Sequence, residues 1–327
     1  MDQGSPLGVL SQLTADSLGV FRGRDAVEVG VTRKQLAGLR AAGVIDRDFP
    51  DTYRMTVVKR SSEQSLIAAL LWAGEKAVAA GLSAGELYSL EGVHAPLPEI
   101  VVPRPAHPRA ANVLVGRYDD RAALMVREVR GIRVTGIECT LLQLAATLES
   151  EAFEIACEDA RRRRLTSVPA LQAYLKRFGR PGRPGVRAVR QLLAQLDPKY
   201  PSRSTLEVKT RRLLVANGIT EFVREFPLEW NGRRYLFDFA FERDKTILET
   251  NGRRWHDDPT DYEHDNNKWS VPGHHGYRIV LATWDKVTQR PEQLLQELAA
   301  TLSATGQAPT RSSSSLARST ARRIVEA

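Results

Sequence analysis

Cysteine is scarce. The 327 residues hold two, Cys139 and Cys157, so neither a disulfide framework nor a four-cysteine zinc site can be built. Both fall in amphipathic helix-like sequence, where a small thiol packs as a buried hydrophobe. Long apolar runs are missing too. No uninterrupted stretch approaches the ~18 residues that a membrane span needs. The start, MDQGSPLGVLSQLTADSLG, lacks a basic region followed by an apolar segment. The expectation is a cytoplasmic protein with no membrane partner. Between Ser61 and Leu196 there is no phosphate-binding glycine loop, no Ser/His/Asp arrangement and no metal-ligand spacing, so chemistry is expected elsewhere.

What is present is an ordinary globular mixture, 42% hydrophobic and 26% charged, which excludes wholesale disorder. The length suits two or three domains. Lys and Arg number 47 against 39 acids, a net charge of +8, and this balance favours an acidic partner such as nucleic acid. Part of the surplus lies in a Ser- and Arg-rich end, TRSSSSLARSTARRIVEA, which lacks apolar periodicity and reads as a disordered basic tail over 305–327.

Residues 20–57 read as a small unit of helix, turn, helix and two strands. Thr32 is a candidate N-cap before RKQLAGLRAAG, with Leu36 and Leu39 on one face and Gly43 as the stop. VIDRDFPDTYRMTVV has the alternation of a short hairpin. That order fits a winged helix-turn-helix over 1–60, with Arg33, Lys34 and Arg40 on the exposed face of the second helix, placed for DNA; a plain three-helix packing unit fits it as well. Residues 61–196 alternate helix-like stretches (EQSLIAALLWAG, IECTLLQLAATLES, AFEIACEDARRRRL) with strand-like ones (PEIVVPRP, ANVLVGRY, IRVTG) and form a mixed α/β module. The run Arg161 to Arg164 ends a helix, where cations complement the dipole, and is expected to be solvated. FGRPGRPG breaks the chain into a loop, and DPKYPSRS marks the last domain boundary. Through VTRKQLAGLRAAGVIDR, AGLSAGELYSLEGV and IRVTGIECTLLQLA, the first ~180 residues resemble the AbiEi-type antitoxin and regulator family. The resemblance implies a winged-helix DNA-binding head, an α/β module and a cognate toxin or other protein partner. Asp51-Thr52-Tyr53 stands where that family's wing ends in Gly-Val-Tyr.

Chemistry concentrates in 197–304. STLEVKTRRLLVANGI is amphipathic, and Ser204 with Glu207 makes an S-x-x-E capping pattern. Strand-like EFVREFPLEW, the dipeptide Asn231-Gly232 and RRYLFDFAF then give a strong hairpin signal. If Arg243 and Asp244 are the loop of a second hairpin, paired residue numbers add to 487, and Asp238 lies opposite Glu249 with Asn251 on the same face. Tyr235, Phe237, Phe239 and Phe241 with Leu248 would form the other, apolar face. Opposed carboxylates repel unless a cation or proton sits between them. Hard oxygen donors of this kind suit Mg²⁺, and such a site suits phosphodiester hydrolysis.

Asp238, ten residues, then Glu249-Thr250-Asn251, with Glu207 upstream, resembles the PD-(D/E)XK nuclease pattern. ETNGRRWH, Asp265, Lys268 and YRIVLATWDKV resemble the very-short-patch-repair endonuclease group within it. The resemblance implies a restriction-endonuclease-like mixed sheet flanked by helices, binding Mg²⁺ or Mn²⁺. It makes Asp238 the principal metal ligand, adds Glu249 and the Thr250 carbonyl, lets Glu207 act through water, and makes His256 an acid/base or phosphate-contacting residue. Asn251 stands where that superfamily often carries Lys, and no cysteine after Cys157 is left for the group's structural zinc.

Four of the six histidines, His256, His264, His274 and His275, fall within 256–275, which also raises a histidine–zinc site. His256 is the one close to the carboxylates. Trp255 is either a core or lid aromatic or a base-stacking platform. Lys268 either pairs with Asp265 one turn away or reaches a phosphate. Arg253 and Arg254 face solvent or DNA backbone. The residues support two functions. One is a Mg²⁺-dependent DNA endonuclease or nickase with a DNA-binding head. The other is a non-catalytic DNA-binding regulator or antitoxin that keeps a degenerate nuclease fold.

Overall fold

The computed structural model describes residues 5–106, 108–196, 201–202, 204–251 and 268–303. The chain divides into two compact units, Met1–Pro198 and Lys199–Ala327. Both mix helix and sheet. No helix among the described residues is long and apolar enough to cross a membrane. The basic tail expected over 305–327 lies outside the described residues.

The first unit begins α1 (Pro6–Leu13), β1 (Val20–Arg22), α2 (Gly23–Glu28), α3 (Arg33–Ala41), β2 (Ile45–Phe49), β3 (Thr52–Met55). The three strands make an antiparallel sheet in the order β1-β3-β2. Helix α3 starts where its chemistry dictates: Thr32 and Gln35 form a reciprocal capping box, satisfying donors that a bare helix end leaves open. Gly43, at φ +71, follows the helix in a left-handed conformation that costs glycine little. Leu36 is buried and joins Leu10, Phe21, Ala26, Val31 and Ile45 in a small core. The rest of α3 is exposed apart from the half-buried Leu39.

Residues 61–196 continue this unit. Val20 and Phe49 share a core with Leu66, Ala68, Ala69, Ile100 and Val134, so the first 60 residues do not pack apart from the α/β module. Helix α4 (Ser62–Ala73) is capped by Ser61, and α5 (Gly81–Leu87) follows β4 (Val78–Ala79). A five-stranded sheet of β4, β5 (Glu99–Pro103), β6 (Leu114–Tyr118), β7 (Arg127–Val129) and β8 (Ile132–Val134) runs in the order β6-β5-β4-β8-β7. Helices α6 (Ile137–Leu144), α7 (Ser150–Arg162), α8 (Val168–Phe178) and α9 (Val186–Leu193) complete the unit. Cys139 and Cys157 are buried free thiols within it, and burial pushes the Cys157 thiol up to about 12.

The arginine run is only partly solvated: Arg163 and Arg164 are exposed, as the helix-end position implies, but the start of the run is drawn inward. Arg161 is buried against Glu158 at 2.9 Å. Arg162 and Arg163 converge on Asp159 at 2.6 and 3.2 Å, and Arg163 also donates to the carbonyls of Tyr88 and Ser89. The run clamps the loop after α5. Helix-dipole reasoning sees only the helix and not these tertiary acceptors.

The second unit runs α10 (Thr205–Ala216), β9 (Val223–Trp230), β10 (Arg233–Phe241), β11 (Thr246–Asn251), the helical segment α11 (268–274), β12 (Arg278–Thr283), α12 (Trp284–Thr288) and α13 (Pro291–Ser303). Its sheet has the order β12-β11-β10-β9, with β11 and β12 parallel and the other pairs antiparallel. Two clusters form its core. Leu206, Leu214, Phe239, Phe241, Leu248, Val280, Leu294 and Leu298 make one. Leu228, Phe237, Ala240, Ile247, Val271 and Tyr277, with Tyr235 against them, make the other. Tyr235 and Phe237 therefore do not share the Phe239–Phe241–Leu248 surface expected from strict alternation. Glu225, opposite this point on β9, has φ +51, and a left-handed residue inside a strand interrupts the two-residue period.

Stability should follow this division. Phe239→Ala, emptying a fully buried site, is expected to cost about 3–5 kcal/mol, and Thr32→Ala about 1 kcal/mol. Urea titration with hydrogen exchange should register the first loss at the amides of β10 and the second at those of α3.

Candidate functional site

Two hairpins build the site. Asn231 and Gly232 turn with φ +50 and +73, the left-handed pair that a two-residue hairpin loop requires. Trp230↔Arg233, Phe226↔Phe237 and Arg224↔Phe239 then share one register, which brings Glu225 level with Asp238. In the second hairpin the Lys245 amide donates to the Glu242 carbonyl at 3.3 Å, closing the turn over Arg243 and Asp244. Its pairs, Phe241↔Thr246, Ala240↔Ile247 and Phe239↔Leu248, all add to 487.

Past Phe239↔Leu248, side chains take over from the backbone ladder. The Asp238 amide donates to Glu249 Oε2 at 3.0 Å. Asp238 Oδ2 accepts from the Thr250 amide at 2.8 Å and from the Thr250 hydroxyl. Asp238 is thereby fixed by two donors from one residue, while the strand carrying Glu249 stays close enough to reach back.

Helix α10 supplies the third acid. Its N-cap, Ser204, accepts from the Glu207 amide at 3.1 Å, and the Glu207 side chain is buried against Arg224 at 2.6 Å. Arg224 also donates to Ser202 Oγ at 3.0 Å. Glu207, Glu225 and Asp238, all buried, each offer a carboxylate oxygen, and these oxygens lie within 4.8 Å of one another. Arg211, one turn along α10 from Glu207, is buried as well.

Glu249 stands beside this group with its own cation, since Lys268 Nζ from α11 bonds Glu249 Oε1. The same ammonium lies 5.2 Å from the centre of the Phe237 ring. Burial, then the charge of Asp238, push Glu249 up to about 7 against the pull of Lys268. A carboxyl group held there exchanges its proton near neutrality.

Of the other residues singled out in the sequence, Asn251 ends β11 paired with Thr283, and Lys34 and Arg40 are exposed on α3. Arg33 is exposed but tied to Asp51 at 2.5 Å, and that carboxylate holds the guanidinium above its ordinary range. Arg253, Arg254, Trp255, His256, His264 and Asp265 lie outside the described residues. His274 stacks on Trp230 with ring centres 3.8 Å apart and planes 3° from parallel. His275 meets the Glu229 carbonyl at 2.8 Å. These two histidines engage the hairpin tip and not the carboxylates. Glu225 is the residue that sequence reasoning missed, although the signal was available: with Asn231-Gly232 as a loop, paired numbers add to 463 and Glu225 falls opposite Asp238. In the first unit, a cavity of about 460 Å³ near Phe49 and Leu87 is lined by charges of both signs, Asp48 with Arg60 and Glu63 with Arg130.

A raised carboxyl pKa has a definite consequence for stability. Unfolded Glu titrates near ~4.3, whereas folded Glu249 titrates at about 7. The folded state therefore holds the extra proton between those values, and the Glu249 contribution, full at low pH, is lost as pH rises through about 7. The metal-free protein should lose up to about 1.4 kcal/mol per pH unit across that window from this group. Glu249→Gln should flatten the slope, which denaturant melts at pH 5, 6 and 7 in chelator will measure.

No family model and no curated protein matches this chain. Solved structures that resemble it in part include two of interest. The RV2827C protein from Mycobacterium tuberculosis aligns at 19% identity and a TM-score of 0.43, covering 61% of this chain and 78% of that one. The homing endonuclease I-Bth0305I catalytic domain aligns at 18% identity and a TM-score of 0.26, covering 32% of this chain and 99% of that one.

Proposed function

We propose that the second unit is a metal-dependent phosphodiester hydrolase acting on DNA, of the PD-(D/E)XK type, and that the start of the chain is a winged-helix head that binds the duplex. The observation that carries this reading is the buried group Glu207, Glu225 and Asp238, with ligand oxygens within 4.8 Å of one another. Carboxylates gathered away from water repel and lose hydration unless a cation compensates them. The donor set fits Mg²⁺ or Mn²⁺: all oxygen, all anionic and drawn from three elements. A divalent ion there would supply Lewis-acid stabilisation of phosphoryl charge and an activated water.

The chain's own residues divide the remaining work. Thr250 orients Asp238 through its amide and hydroxyl, and Arg224 orients Glu207. Lys268 holds Glu249 and brings to the site the positive charge that Asn251 lacks. Glu249, close to half-protonated at neutral pH, can take or give a proton at Oε1 or Oε2 during attack and departure. In the head, the order α1-β1-α2-α3-β2-β3 with its three-stranded sheet supports a winged helix. The exposed α3 then offers Lys34 and Arg40 to phosphates, with Arg33 braced by Asp51.

One observation favours the second reading, a regulator with a retired nuclease fold. Arg224 and Lys268 already neutralise Glu207 and Glu249, and such pairing can replace a metal.

Supercoiled plasmid separates the readings. In Mg²⁺ or Mn²⁺ the full chain should nick it, Asp238→Asn and Glu225→Gln should abolish nicking, and Lys268→Met should slow it by about 10²-fold. An intact plasmid throughout, with no Mg²⁺-dependent rise in Tm, establishes the regulator. For the head, Lys34→Ala with Arg40→Ala in the full chain should weaken duplex binding in chelator and reduce the logarithmic salt slope by about 2.

A further inference from the structure

The tip of the β9–β10 hairpin carries a second surface that the carboxylate site does not use. Trp230 is 37% exposed and lies flat on His274, while His275 stands edge-on to the same indole at 6.3 Å and is pinned to the Glu229 carbonyl. Both histidines are exposed. An exposed tryptophan at a loop is ordinarily free to move; here two rings from the end of α11 hold it. Arg233 is exposed and is the cross-strand partner of Trp230, so the two side chains share a face. Arg234 is exposed on the opposite face, paired in register with Glu229. One face of the tip is thus aromatic and cationic, and the other has its charge opposed by an acid.

This face connects with the candidate site through one helix. Lys268, Val271 and His274 are spaced three residues apart along α11, which places them on neighbouring positions of one stripe. Lys268 sits over Phe237, Val271 packs in the cluster of Leu228 and Phe237, and His274 covers Trp230. From Phe237 to Arg233 along β10 is roughly 13 Å, a span of a few nucleotides from the Glu249–Lys268 pair.

We infer that the Trp230–His274 stack with Arg233 is a docking point for a single strand of DNA, the aromatic pair taking a base and Arg233 an adjoining phosphate. An immobilised ring stack flanked by a guanidinium is what strand binding without sequence readout uses, and ring planes accept any base. The inference rests on the reading of this unit as one that acts on DNA. Its test needs no cleavage, so the two can fail separately.

The full chain, in chelator, is titrated by fluorescence anisotropy with a labelled single-stranded DNA 20-mer, the matching duplex and the matching RNA. Arg233→Ala should lower the single-strand salt slope by about 0.7. Arg234→Ala, on the other face, should leave the slope within error of the unaltered protein. Trp230→Ala should weaken single-strand binding by about tenfold, and Trp230→Phe, which keeps a ring, should restore most of it. Photocrosslinking to an oligonucleotide bearing 5-iododeoxyuridine should attach to the peptide containing Trp230 or His274. Equal effects of the two arginine substitutions, an unchanged single-strand affinity in Trp230→Ala, crosslinks confined to other peptides, or a loss of duplex or RNA binding in Trp230→Ala as large as its loss of single-strand binding would each overturn the assignment. Crosslinking at Trp230 together with an uncut plasmid keeps this surface and removes the hydrolase.

Discussion

The second unit is organised around one electrostatic constraint, the burial of carboxylates from several elements at a single level of the sheet. Glu207 comes from α10, Glu225 from β9, Asp238 from β10 and Glu249 from β11, and none is more than 7% exposed. Four such groups cannot all be ionised without compensation. For three of the four the structure answers with a specific cation or donor: Arg224 for Glu207, Lys268 for Glu249, and the Thr250 amide and hydroxyl for Asp238. The cost of meeting these demands is visible in the backbone. The β10–β11 ladder hands over to side chains at Asp238, and Glu225 takes a left-handed conformation.

This constraint also decides how much could be read from sequence. Both hairpin registers were legible, because Asn231-Gly232 and Arg243-Asp244 sit between runs whose alternation leaves one sensible pairing, and register is arithmetic once the loop is fixed. The opposition of Asp238 and Glu249 came directly from the second loop. The same arithmetic applied to the first loop gives Glu225 opposite Asp238. The break in alternation at Glu225 was not legible, since a non-glycine residue with positive φ inside a strand carries no composition cue. Lys268 was legible as a candidate but not as the partner of Glu249: nineteen residues separate them, and that contact exists only after α11 packs on the sheet.

In the first unit, legibility again depends on the range of the interaction. The Thr32–Gln35 capping box and the Gly43 stop lie within a few residues and could be placed from local chemistry. The Arg161–Arg164 run could not, because its partners include the loop near Tyr88 and Glu91, some seventy positions away. The same range argument applies to Val20 and Phe49, which join the core of Leu66 and Ile100. A boundary drawn at residue 60 from composition cuts through packing that only the tertiary structure reveals. The placement of α3 is accordingly a property of the whole first unit, with Leu36 anchoring one side of the helix and leaving the other to solvent.

The charge balance of the carboxylate group links its two possible states. Arg224 and Lys268 pair with Glu207 and Glu249, and a proton on Glu249 lowers the negative charge of the group further. Pairing and protonation together lower the cost of burying these carboxylates. On the proposed reading, a divalent cation entering among Glu207, Glu225 and Asp238 would offset the Asp238 charge that helps to raise Glu249, and so draw that proton off. Cation binding and proton release would then be coupled through one pair of side chains, with affinity for the cation rising with pH through the range in which Glu249 titrates. Lys268, already in contact, then holds the ionised Glu249 in place.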